Sequence, residues 1–180
     1  MSDRSKVTVA CFDQAGTRGV AIRVEGAGTM QESPVIHAFA ERQLTQADGG
    51  AVVIDLSACT YVDSTFLGGL VSLFKRHGTK LTGPGSVPNL RFTIYAPGPA
   101  RQVLFGTSRL DRVFCFIDHP PTVAPQSVPL EPSSATTREE LGHYIVECHR
   151  RLAELGGVEA ETFGRVADAI AEELTARRRS

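Results

Sequence analysis

The run Val62-Asp63-Ser64-Thr65-Phe66-Leu67-Gly68-Gly69 sets a carboxylate and two hydroxyls directly ahead of apolar residues at helical spacing. Two kinds of chemistry suit that arrangement. A side-chain oxygen at a helix start accepts a hydrogen bond from an unpaired backbone N–H, so Asp63 or Ser64 can act as an N-cap. A hydroxyl at the same place can also accept phosphate, which adds about −1.5 to −2 charges and three acceptor oxygens. Backbone N–H groups and the helix dipole tolerate that charge. The two roles are compatible if Asp63 caps and Ser64 points outward. Thr65 is the second candidate acceptor.

Other chemistries find less support. No G-x-S-x-G elbow surrounds Ser64, and no GxxxxGK[ST] loop occurs anywhere in the chain. Leu67-Gly68-Gly69 falls within a helical period and is better explained by close helix packing than by a phosphate cradle. The histidines at 37, 77 and 119 are scattered, so no local Ser–His–acid constellation is evident. A receiver-type phospho-aspartate at Asp63 would want an acidic pair near the first strand to hold a divalent ion, and Asp13 stands alone there. His143, Cys148 and His149 are offset by five and six residues, which does not bring them to one helix face as metal ligands. The expectation is a protein with no catalysis of its own, no metal and no cofactor.

Composition narrows the class. A net charge of −1 over 180 residues gives no electrostatic case for nucleic acid as a direct partner. No apolar run approaches the roughly 20 residues that span a bilayer. Met1-Ser2-Asp3-Arg4 lacks an apolar signal-peptide core, so the expectation is a cytoplasmic protein. The cysteines Cys11, Cys59, Cys115 and Cys148 stand far apart, and a cytosolic setting disfavours disulfides. Arg177-Arg178-Arg179 reads as a solvated last helical turn.

The elements that must position Asp63-Ser64-Thr65 follow from hydrophobic patterning. Residues 6–12 and 19–25 are β-branched and roughly alternating, and Gly16 supplies the turn of a hairpin. Ser33-Pro34 predicts an N-cap and first turn, with an amphipathic helix following to about Ala47. Residues 51–56 (AVVIDL) form a nearly continuous apolar run, the mark of a strand covered on both faces. A helix then carries Phe66, Leu67, Leu70, Val71 and Phe74 to Gly78, and 79–90 reads as a loop. Strands are predicted at 91–96 and 112–117, with a short helix between them through Val103, Leu104 and Phe105. The order ββαβαβαβ predicts an α/β (α+β) domain over 1–118, with a mixed sheet and right-handed crossovers.

Beyond it, residues 119–136 hold five prolines and read as an extended linker. Thr137 with Glu140 matches a capping box, opening a helix through Leu141, Tyr144, Ile145, Cys148, Leu152 and Leu155. Gly156-Gly157 ends it, and a second helix carries Phe163, Val166, Ala167, Ile170 and Leu174. The expectation for 137–180 is a helical hairpin. Its apolar stripes must dock on the first domain, a second copy or a partner.

On these residues the segment VVIDLSACTYVDSTFLGGLVSLFKR resembles the central signature of STAS domains, in particular bacterial anti-sigma factor antagonists. Asp55-Leu56 and Asp63-Ser64-Thr65 match, Leu67-Gly68 fall where the family has Leu-Gly, and VLFGTSRLDRVFCF looks like the family's last helix and strand. Phe66 replaces the family's glycine after the two hydroxyls.

The resemblance implies a STAS-like fold over residues 6–118 and a role as an anti-anti-sigma factor. The serine after the aspartate is the family's phosphoacceptor, which carries over to Ser64. The partner-binding residues it implies are Asp63, Ser64, Thr65, Phe66, Leu67 and Gly68; for Leu67, ordinary helix core is an equal reading. The implied partner is an anti-sigma factor of the serine-kinase type, with a phosphatase to reverse the modification and ATP belonging to the kinase. One alternative is a non-phosphorylated scaffold subunit of a signalling or transport assembly, with the hairpin serving docking or homo-oligomer formation. Another is a small enzyme or nucleotide-binding protein using the Ser64 region.

Overall fold

The computed structural model describes residues 5–14, 16–46, 50–78, 91–131 and 136–178. The expected loop at 79–90, the end of the first helix near Ala47 and the last arginine of the basic run, Arg179, lie outside these residues.

The alternation at the start closes a hairpin between β1 (Lys6–Gln14) and β2 (Thr17–Gly28), with Gly16 at φ 78° in its turn. Helix α1 (Ser33–Thr45) carries the chain to β3 (Ala51–Val62), α2 (Ser64–His77) to β4 (Phe92–Tyr95), and α3 (Gly98–Phe105) towards β5 (Phe116–Ile117). The ββαβαβαβ order therefore holds. Strands β2, β3, β4 and β5 pair in parallel, as βα connections require. Strand β3 runs on to Val62, well beyond the apolar run at 51–56, because residues 58–62 keep pairing with the end of β2 across two register shifts. The last strand is shorter than residues 112–117, since a 3-10 turn occupies Leu110–Arg112.

Sheet alternation divides the buried residues between two faces. Val7, Val20, Ile22, Val24, Val52, Ile54 and Ile94 meet Ile36 and Leu44 of α1, Phe66, Leu70 and Leu73 of α2, and Leu104 and Phe105 of α3 in the main core. Phe12, Ala21, Ala51 and Val53 form a smaller cluster on the other face, with Tyr95 and Ile117 against it. All three crossover helices thus sit on one side of the sheet.

The proline-rich stretch is more than a linker. Val128–Pro129 forms β6, antiparallel to β1, which extends the sheet order to β5-β4-β3-β2-β1-β6. Ala124 N–H donates to the Cys11 carbonyl at 2.8 Å and Leu130 N–H to the Val7 carbonyl at 2.9 Å. Proline lacks a ladder donor but is tolerated on an edge strand, so a proline-rich stretch can close this edge. Pro120, Pro121, Val123, Ala124, Pro125 and Ser127 also wall a cleft of about 540 Å³ over the second face, opposite residues of the sheet such as Ala10 and Tyr95.

The hairpin forms as expected from α4 (Arg138–Ala153) and α5 (Ala160–Arg178). Thr137 Oγ1 accepts from Glu140 N–H at 3.1 Å while the Glu140 carboxylate accepts from Thr137 N–H at 2.7 Å, completing the capping box. Gly156 and Gly157 turn the chain at φ 75° and 93°. Of the three surfaces that could cover its apolar stripe, the structure uses the first domain: α4 lies on α2.

Candidate functional site

Asp63 takes extended backbone angles immediately before α2 and is its N-cap. Oδ1 accepts from Phe66 N–H and Oδ2 from Met30 N–H, both at 2.8 Å, while Asp63 N–H donates to the Gly28 carbonyl at 3.0 Å. One carboxylate therefore ties the start of α2 to the end of β2 and the turn into α1. The capping role expected of Asp63 holds. Ser33, by contrast, is the first residue inside α1 rather than its cap. Glu32 precedes it at that position and its carboxylate accepts from Thr29 N–H and Oγ1–H.

Ser64, the first residue of α2, does not point outward. Its Oγ lies 3.0 Å from Nε2 of His149 on α4. His149 Nδ1 lies 2.9 Å from the Ile145 carbonyl, which can only accept, so Nδ1 carries a proton and Nε2 is the ring nitrogen that meets the Ser64 hydroxyl. The imidazole is 6 % exposed and faces the Phe163 ring at 6.0 Å.

The reason for the inward turn is the closeness of α4. A Cβ on Gly68 would fall 2.6 Å from Cys148 Cβ, and one on Gly69 would fall 2.5 Å from the Tyr144 hydroxyl. The Gly-Gly pair therefore serves helix packing, as its spacing implies. Tyr144 Oη lies 2.8 Å from Ser33 Oγ, which in turn donates to the Thr65 carbonyl at 3.4 Å. Burial holds the Tyr144 phenol well above its ordinary range and pushes the Cys148 thiol up to about 12, so both are neutral in this contact.

The remaining residues of the run divide by helical period. Thr65 and Phe66 are 4 % and 1 % exposed. Phe66 is not a bulky group on a docking surface: its ring fills the space beside Gly28, where a Cβ would come within 2.8 Å of it. An apolar ring three residues from the cap turns naturally onto the sheet. Leu67 belongs to the main core and lines a cleft of about 470 Å³ with Leu110, Leu152, Leu155 and Phe163. Asp55 lies within β3 rather than at its end, and its Oδ1 accepts from Ser57 N–H at 2.9 Å.

The sequence reading treated Tyr144 and Cys148 as members of an apolar stripe and gave His149 no role beside Ser64. Their polar contacts join residues 85 and 111 positions apart. Only the four-residue offset of Tyr144 and Cys148, which puts them on one face, was a signal towards this. All four cysteines are free, with Cys59 and Cys148 buried and Cys11 exposed. Among the described residues no three His, Cys, Asp or Glu side chains gather as a metal site, and no helix is long and apolar enough to cross a membrane. Chemically, Ser64–His149 is a hydroxyl–imidazole pair whose ring orientation is fixed through Nδ1. A backbone carbonyl rather than a carboxylate orients the ring, and neither residue borders the 470 Å³ cleft.

The chain is similar to a solved anti-sigma factor antagonist from Mycobacterium paratuberculosis, at 23 % identity and a TM-score of 0.47, over 66 % of this chain and 90 % of that one. No family model matches the chain, and no curated protein matches it.

Proposed function

We propose that this chain is a cytoplasmic anti-sigma factor antagonist that works by partner exchange and performs no catalysis itself. The unmodified domain binds an anti-sigma factor of the serine-kinase type and frees its sigma factor. Phosphate on Ser64 ends that binding, and a phosphatase restores it. The observation that carries the reading is the position of Ser64: it opens α2 directly after the Asp63 cap, at the end of a central parallel strand, in the STAS-like signature and the ββαβαβαβ order. A phosphate there adds charge at a helix N-terminus beside Asp63, where the free backbone N–H groups tolerate it but a helix seated on Ser64, whether α4 or a partner's, does not.

The test is phosphopeptide mass spectrometry of the protein from its native cell, with a pull-down comparing wild type and Ser64→Asp. Phosphate on Ser64, and a kinase-like partner retained by wild type but lost by the aspartate form, is the expected result. No phosphate on Ser64 or Thr65, with the same partners for both forms, overturns it. One observation favours a second reading: α4 already covers Ser64. A constitutive scaffold, with no modification of this serine, is what that negative result would leave.

A further inference from the structure

We propose that α4 is an internal occupant of the Ser64 face, so that the resting chain is closed, and that the α4–α5 hairpin swings away as a unit without unfolding the sheet domain. The functional consequence rests on the reading of Ser64 as the regulated residue; the opening itself does not.

The geometry of the seam supports an occupant rather than a permanent part of the core. Helix α4 meets α2 where the sequence signature lies, with His149 on Ser64, Cys148 on Gly68 and Tyr144 over Gly69. The face thus accepts an amphipathic helix, and here the helix is the chain's own. Three side-chain polar pairs, Ser64–His149, Ser33–Tyr144 and the partly exposed Lys75–Glu154 ion pair at 2.8 Å, lie in this contact. Water can replace all three when the helices part, and the exposed ion pair contributes little in any case, so the loss of these polar contacts costs little. The 470 Å³ cleft between Leu67, Leu110, Leu152 and Phe163 leaves the other end of the seam incompletely filled.

The hairpin is also built to stand together once released. Val146 and Ala167 are buried, Gly142 admits Leu174 so closely that a Cβ would lie 2.8 Å from its methyl carbon, and the capping box and glycine turn lie within it. The strap that leads to it is fixed to β1 as far as Leu130. Six residues of sequence, 131–136, separate that anchor from the Thr137 cap, so the hydrogen bonds that fix the strap to β1 lie outside the hairpin.

The native cysteines report the opening. Cys148 sits in the seam, Cys59 lies in the main core and Cys11 is exposed. In the full chain, thiol alkylation followed by peptide mass spectrometry should modify Cys148 at least about tenfold faster than Cys59, since a subglobal opening is more frequent than global unfolding. In Leu152→Asp, which puts a charge where α4 enters the core, Cys148 should approach the rate of Cys11 while Cys59 keeps its wild-type rate. If Cys148 and Cys59 react together in both proteins, the hairpin is a fixed part of the fold and the proposal is overturned. A second arm incubates both full-length proteins with ATP and an extract of the native cell. Ser64 should take up phosphate about tenfold faster in Leu152→Asp, and equal uptake would overturn the closed state. If neither protein takes up phosphate, the regulatory reading of Ser64 falls, and the alkylation rates alone decide whether the hairpin opens.

Discussion

Ser64 Oγ and His149 Nε2 stand 3.0 Å apart, joining the first residue of α2 to the buried face of α4. This contact makes the candidate regulatory hydroxyl part of an internal helix–helix seam. It also fixes what a change at either residue should do.

Ser64→Ala leaves His149 Nε2 buried without its hydroxyl partner. The expected loss of stability is about 1–2 kcal/mol, read from urea unfolding. His149→Ala should cost a similar amount, and the double variant should cost less than the sum, with a coupling of about 1 kcal/mol. Additive losses would mean that the hydrogen bond contributes nothing.

The Asp63 carboxylate serves two amides, Phe66 N–H and Met30 N–H. Asp63→Ala should lower stability by about 1–2 kcal/mol and speed hydrogen exchange at both amides. Faster exchange at Phe66 alone would show that the link to the α1 turn is dispensable.

Gly28 is required by a ring rather than by its backbone angles. A Cβ there would meet Phe66 at 2.8 Å, inside the packed core. Gly28→Ala should cost about 1–3 kcal/mol, and adding Phe66→Leu should recover part of that loss. Thermal melts of the single and double variants measure this directly.

His37 links stability to pH. Its ring meets Tyr144 of α4 edge-on at 5.7 Å, and Nε2 is buried without a hydrogen-bond partner among the described residues. Burial is the main cause holding its pKa below the ordinary 6.5, with Arg76 and His77 adding to the effect and Glu41 opposing it. The unfolded chain therefore binds a proton at His37 more readily than the folded one. This contribution is complete above pH 6.5 and is lost as pH falls below it. The midpoint of thermal unfolding should drop as pH is lowered from 7 towards 5, with a shallower slope in His37→Leu. Below the ordinary carboxylate value of 4.5, Glu41 adds to the loss. Burial raises its pKa, but hydrogen bonds from His77 and Arg76 outweigh burial and hold it low. Parallel pH profiles for wild type and His37→Leu would remove His37 as the cause.

The sequence by itself determined the order of elements, because period-2 and period-3.6 patterns are local and need no knowledge of neighbours. It likewise determined the Asp63 cap and the Thr137–Glu140 box, where donor and acceptor lie three residues apart. The glycine pair at 68–69 announced a close helix approach without naming the helix. What only the tertiary structure decided are the long-range meetings. Proline counting misses an edge strand, since the ladder at Val128–Pro129 depends on β1 lying exposed beside it. Phe66 could be assigned to a surface until the empty side of Gly28 gave its ring a place. The direction of the Ser64 hydroxyl was settled by a histidine 85 residues away, brought there because Gly68 and Gly69 let α4 come within contact. Hydrogen bonds across such separations leave no periodic trace in a chain, so the covering of this face became visible only once the helices were packed.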